Sequence, residues 1–88
     1  MIKLSDPEKT AELIVLLEFA GDTGHWLKGH SSQALYLINQ GADINAQDRW
    51  GWDVLMHASY SGHIDSVIAL IELGVNLKAR ESGYLGFN

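Results

Sequence analysis

A segment of this chain repeats after 33 residues, and the repeat constrains the fold more than any other feature of the sequence. Residues 29–45 read GHSSQALYLINQGADIN, and residues 62–78 read GHIDSVIALIELGVNLK. The glycine–histidine pair that opens each copy and the glycine near its end recur at the same offset. A period of this length is typical of proteins in which each unit packs only against its neighbours in a stack.

Each copy is predicted to contain a helix that a glycine terminates. The apolar residues have the spacing of one helix face, at Ala34, Leu37 and Ile38 in the first copy and at Val67, Leu70 and Ile71 in the second. Gly41 and Gly74 follow these helices, where a helix C-terminus favours a residue that tolerates positive φ.

Two further helices are predicted outside the copies. Asp53 is a good N-cap for a short helix over Val54–Tyr60, after a turn-rich stretch with Gly51 at its tip. Residues 5–8 read SDPE, the pattern of a capping box with proline in the first turn, and residues 13–20 supply the apolar body of the helix that follows.

The turn, the short helix, the glycine–histidine pair, the longer helix and the period together resemble the ankyrin-repeat family. The family motif T-P-L-H-x-A corresponds to residues 53–58, which read DVLMHA, so Leu55 and Ala58 match and His57 lies one position after the family histidine. The sequence GADIN at residues 41–45 closely matches the end of the family's repeat pattern. The resemblance covers about residues 29–83 and implies an all-α fold, a helix–turn–helix solenoid with short β-turn fingers.

We expect a single ankyrin-like domain over residues 1–88. Its first repeat, residues 5–44, is divergent and has an inserted connection at residues 21–29. The second repeat covers residues 45–77, and residues 78–88 are either the start of a third repeat or a C-terminal tail.

Composition narrows the function classes. Eleven Asp and Glu residues against six Lys and Arg residues give a net charge of −5, which disfavours binding to a phosphate backbone. The chain has no cysteine, so it forms no disulfide, and this composition fits a reducing compartment. The longest apolar run, residues 13–17, is far shorter than the roughly 20 residues of a membrane-spanning helix. We therefore expect a cytoplasmic protein that binds neither nucleic acid nor membrane.

The resemblance implies that turn tips and the exposed face of the short helix bind a protein partner. The matching positions are Arg49, Trp50, Trp52, Asp53, His57, Tyr60 and Ser61. Arginine, tryptophan and tyrosine are enriched in interface hot spots, and Asp48 and Asp53 are expected to act as charges at the rim. The predicted function is non-catalytic protein–protein interaction, by a small inhibitor or adaptor that occludes a site on a larger protein. Alternatively, Trp50 or Trp52 packs onto its own short helix or the neighbouring turn.

The alternative function is a structural homo-oligomer. The last long helix has a second apolar stripe at Ile64, Ile68 and Ile71, with Leu73 at its end. The tail that follows contains Tyr84 and is short, so we expect a second copy to cover this face, as in a homodimer. If the tail folds back over the face instead, the domain is a monomer.

Catalysis is not expected, and no cofactor is predicted. Asp53, His57 and Ser61 share one helix face at a spacing of four residues. A single straight helix does not easily wrap three such groups around a substrate and also supply oxyanion donors.

The other histidines are predicted to be structural rather than metal ligands. His25 and His30, with Asp22 nearby, lack the helical spacing of a metal-binding pair. His30 and His63 each follow a glycine at the start of a long helix, where the resemblance implies a hydrogen bond to the neighbouring loop.

Overall fold

The computed structural model describes residues 5–74, which form four helices and no strand. The helices are α1 (Pro7–Thr23), α2 (Lys28–Asn39), α3 (Val54–Tyr60) and α4 (Ile64–Glu72). Helix α1 packs on α2, α3 packs on α4, and α2 contacts both α3 and α4. Two helix pairs are therefore packed together, which confirms the predicted all-α class. Residues 78–88, predicted to begin a third repeat or to form a tail, lie outside the described residues.

Helix α1 begins within the predicted segment, but its N-cap is Asp6 and not Ser5, the serine of the predicted capping box. The Oδ1 atom of Asp6 accepts hydrogen bonds from the backbone N–H groups of Glu8, at 2.9 Å, and Lys9, at 3.2 Å. Pro7 is the first helical residue, where its missing N–H has no partner to lose. The N-cap is thus an aspartate that satisfies two of the free donors at the start of the helix.

The connection between α1 and α2 is shorter than the predicted one over residues 21–29. Helix α1 continues through Thr23 and ends at Gly24, whose φ of 75° allows its N–H to bond to the carbonyl of Ala20 at 3.0 Å. Helix α2 already begins at Lys28, so only residues 24–27 connect the helices. The prediction was wrong because three of the residues assigned to the connection extend α1 before Gly24 ends it.

The predicted glycine turns close both long helices of the repeats. Gly41 and Gly74, with φ of 114° and 92°, follow α2 and α4. Gly41 also accepts a hydrogen bond from the Asp6 N–H at 2.7 Å, and the Asp43 N–H donates to Thr10 Oγ1 at 2.9 Å. These bonds tie the end of α2 to the start of α1.

The core lies where the two helix pairs meet. Its fully buried side chains are Leu13 and Leu17 of α1, Ala34 of α2, Val54 and Ala58 of α3, and Leu70 of α4. The small side chains from α2 and α3 allow close packing at the contact between the pairs. Burial of this apolar surface is what holds the two pairs together.

Candidate functional site

A finger (residues 45–53) leads from α2 to α3, and one carboxylate organises it. The Oδ1 atom of Asp48 accepts hydrogen bonds from the N–H groups of Trp50 and Trp52, both at 2.9 Å. The Asp48 N–H donates to the Trp52 carbonyl at 2.9 Å, and Gly51 takes the positive φ of 83° at the tip. The predicted role of Asp48 as a rim charge was wrong, because its side chain is 1% exposed and its oxygens face the finger's own donors.

His57 joins the finger to the helices beneath it. Its Nε2 atom lies 3.2 Å from Asp48 Oδ2 and donates the hydrogen bond, because a carboxylate can only accept. The imidazole stacks on Trp26, with centroids 4.7 Å apart and an angle of 16°, and its centroid lies 5.0 Å from that of Trp52. One imidazole thus fixes the finger against the connection between α1 and α2.

Trp26 lies in that connection and is 7% exposed. Its indole Nε1–H donates a hydrogen bond to Ser31 Oγ at 2.7 Å, and the same oxygen lies 3.1 Å from His63 Nδ1. The contact between Ser31 and His63 joins the first helix pair to the start of α4. His30 contacts the other side of the network, with its ring centroid 5.4 Å from that of Trp26. Its Nδ1 atom accepts a hydrogen bond from the Leu27 N–H at 2.9 Å. His30 and His63 therefore both form hydrogen bonds within the fold.

An open cleft of about 450 Å³ lies above this network, between the end of α1 and the finger. We call it the aromatic cleft and define it by Trp26, Trp50, Trp52, His57 and Tyr60, with Asp48 among its lining residues. Trp52 and Tyr60 meet edge to face, with centroids 5.6 Å apart and an angle of 80°. Tyr60 is 84% exposed and Trp50 is 50% exposed, so the cleft offers aromatic surface that the described residues leave uncovered.

Trp50 is held between α1 and its neighbour Arg49. A Cβ atom at Gly21 would lie 2.6 Å from Trp50 Cζ3, so the indole ring can come this close only because residue 21 is glycine. The guanidinium Cζ of Arg49 lies 4.9 Å from the centroid of the Trp50 ring, and its Nη2 lies 3.4 Å from Glu18 Oε1. The hydrogen bond and the charge of Glu18 raise the pKa of Arg49 above its usual value.

Five of the predicted partner-binding residues lie at the aromatic cleft or at its edge with accessible side chains: Arg49, Trp50, Trp52, Tyr60 and Ser61. The other two, Asp53 and His57, are 4% and 9% exposed. Their predicted place on the exposed face was wrong. Asp53 is the N-cap of α3 and accepts a hydrogen bond from the Met56 N–H at 2.9 Å, and His57 lies one turn later, beneath the finger.

Sequence reasoning missed Trp26 and the structural role of Asp48. An aspartate followed by a glycine-containing turn is a recognisable sign of a side chain that bonds the turn's own N–H groups, so the role of Asp48 could have been found. No local pattern indicates Trp26, because its partners Ser31, His30 and His57 are brought to it by the packing of the helices.

Residues 5–74 contain no group of three or more His, Asp or Glu side chains that could hold a metal ion. Within the same residues, no helix combines the length and apolar character needed to cross a bilayer.

A family model described as ankyrin repeats (many copies) matches residues 24–71, which is more than half of the chain. Neither a curated protein nor a solved structure matches the chain. The matched region runs from the connection before α2 into α4, so it contains the finger and most of the aromatic cleft. Ankyrin repeats generally mediate protein–protein interaction and are typically non-catalytic. The chain belongs to the ankyrin-repeat family.

Proposed function

We propose that this protein is a non-catalytic recognition module that binds a protein partner through the aromatic cleft. The observation that carries the proposal is the exposure of two large aromatic side chains, Trp50 and Tyr60, at the edge of a cleft that is itself lined by aromatic rings. Tryptophan, tyrosine and arginine dominate interface hot spots because they combine a large contact area with a directional polar group. Exposed aromatic patches of this kind generally mark binding sites.

The rigid support under the cleft favours binding. Asp48 holds Trp50 and Trp52 through their backbone N–H groups, and His57 connects that carboxylate to Trp26. Side chains that are already ordered lose little conformational entropy when a partner covers them. The finger and its aromatic residues therefore form a preorganised surface.

We further propose that the protein acts by occupying a surface of a larger protein, as an inhibitor or an adaptor, in the cytoplasm. The supporting features are the absence of cysteine from the chain and the family to which it belongs. Binding alone is sufficient for either role, since covering a partner's site or joining it to another protein requires no chemistry.

Replacing Tyr60 with alanine is expected to weaken partner binding by about tenfold while leaving the fold intact. Tyr60 is 84% exposed, so its removal deletes contact area for a partner and almost none of the protein's own packing. Peptides selected from a random library on the immobilised protein provide the binding assay, and fluorescence anisotropy gives the affinity of each peptide.

Tyr36→Ala is the matched control. Tyr36 is 62% exposed and lines a separate groove between α1 and α2, so its loss should not change the affinity of these peptides. Selected peptides that bind equally well to the wild type and to Tyr60→Ala would refute binding through the aromatic cleft.

A second candidate function is self-association through the outer face of α4. Ile64, Ile68, Ile71 and Leu73 are 64%, 51%, 48% and 45% exposed, so the described residues cover this apolar stripe only in part. Tyr84, predicted to belong to the same interface, lies outside those residues. The first helix pair also exposes an apolar groove of about 670 Å³ that includes Val15 and Phe19. We propose that the stripe of one copy packs into the groove of the next, as successive repeats do in a solenoid.

This head-to-tail arrangement predicts a specific result when variants are mixed. Ile68→Lys should block the stripe and Val15→Glu should block the groove, so each variant alone is expected to be monomeric. An equimolar mixture should form a dimer, because each variant retains one intact surface and the two surfaces are complementary. Sedimentation velocity over a wide concentration range gives the masses. A wild type that remains monomeric at every concentration would contradict self-association.

A further inference from the structure

We propose that the aromatic cleft accepts a cationic side chain, lysine or arginine, of its protein partner. The inference deepens the proposed function and rests on it, because it names the chemistry of the group that enters the same cleft.

Aromatic side chains with accessible surface line the cleft. Trp52 and Tyr60 stand nearly perpendicular at 80°, with centroids 5.6 Å apart, and Trp50 offers half-exposed indole surface nearby. The faces of tryptophan and tyrosine attract a cation that comes within about 6 Å of the ring centroid.

The charges around the cleft have the complementary sign. The carboxylates of Glu18, Asp22 and Asp48 all attract the guanidinium of Arg49 electrostatically. Three negative charges therefore surround one positive charge. No lysine or arginine is among the residues that line the cleft in the described part of the chain. The whole chain carries a net charge of −5, so its field attracts cationic partners and repels anionic ones.

The protein already holds one guanidinium in this manner. The Arg49 Cζ atom lies 4.9 Å from the centroid of the Trp50 ring, and the Arg49 Nη2 donates a hydrogen bond to Glu18 Oε1 at 3.4 Å. An aromatic face combined with a carboxylate is therefore a working cation site within this surface. The aromatic cleft offers further tryptophan and tyrosine surface, and no lysine or arginine of the described residues lines it.

Capped glycine peptides with one central side chain test the inference directly. The central residue is arginine, lysine or citrulline, which keeps the shape of arginine but is neutral. Titrations are followed through the indole N–H signals of the three tryptophans in ¹H–¹⁵N spectra. We expect the arginine and lysine peptides to bind with millimolar affinity and the citrulline peptide to bind about tenfold more weakly.

Variants assign the effect to the cleft. Tyr60→Ala should abolish the saturable shifts, and Asp22→Asn should weaken binding of the cationic peptides by about twofold. Glu12→Gln, which removes a carboxylate in the separate groove of α1 and α2, should leave them unchanged. Equal binding of citrulline and arginine peptides, or no binding of either cationic peptide, would overturn the inference. If library-selected peptides still depend on Tyr60 in that case, the proposed function stands and only its cationic chemistry is wrong.

Discussion

Replacing Trp26 with alanine is expected to lower the free energy of unfolding by about 3–5 kcal/mol. The indole ring is 7% exposed and stacks on His57, so its removal leaves a cavity at the contact between the two helix pairs. Its Nε1–H also donates to Ser31 Oγ, which lies within hydrogen-bond distance of His63 Nδ1 as well. A loss of this size is a large part of the total stability of a small domain, so the variant should unfold at a much lower urea concentration than the wild type.

Urea denaturation followed by far-ultraviolet circular dichroism measures the effect. Trp50→Ala is the matched control, because it removes the same side chain from a half-exposed position and should cost about 1 kcal/mol. The free energy of unfolding of Trp26→Phe should lie between those of the two variants, since it keeps an aromatic ring against His57 but loses the donor to Ser31. A Trp26→Ala variant no less stable than Trp50→Ala would show that the network around residue 26 is not structurally important.

Replacing Asp48 with alanine is expected to lower the free energy of unfolding by about 3 kcal/mol and to remove partner binding at the finger. The substitution leaves three donors without their acceptor, namely the N–H groups of Trp50 and Trp52 and the Nε2–H of His57. The finger would then lose the bonds that set its shape, and Trp50 and Trp52 would no longer be held in the cleft.

Thermal unfolding measures the loss of stability of this variant, and the peptide-binding assay measures its loss of binding. Asp48→Asn should cost only about 1 kcal/mol, because the amide oxygen can still accept from the two backbone N–H groups and a neutral imidazole can change its tautomer. Asp43→Ala is the control for loss of a partly exposed turn aspartate, since the Asp43 side chain accepts a hydrogen bond from the Asn45 N–H at 2.9 Å. If Asp48→Ala is as mild as Asp43→Ala, the finger does not depend on this carboxylate.

The helices were largely predictable because their signals are local. Asp53 and Val54–Tyr60 were predicted from an N-cap followed by a short apolar segment, and the structure has the same helix bounds. Gly41 was placed at a helix end because a left-handed residue is needed there. The prediction of a connection over residues 21–29 was wrong at Gly21, which lies within α1 and whose lack of a Cβ admits the Trp50 ring.

The candidate site was predictable only in part. Aromatic residues near a turn tip identified Trp50, Trp52 and Tyr60, but the same spacing also selected His57, which is buried. Spacing along a helix states which residues share a face, and it does not state whether that face meets solvent or another element.

The sequence by itself determined the repeat period, which is a direct recurrence after 33 residues, and, through the family that it resembles, the all-α class. It also determined the N-cap at Asp53 and the glycine turns at Gly41 and Gly74, because a cap or turn depends on residues within a few positions of one another. Only the tertiary structure decided which aromatic rings meet. Trp26 reaches His57 and Ser31 because the connection after α1 lies beside α2 and α3, and Asp48 reaches His57 because the finger folds over α3. These contacts join segments that local propensity treats independently, and so the aromatic cleft exists only once the two helix pairs are packed.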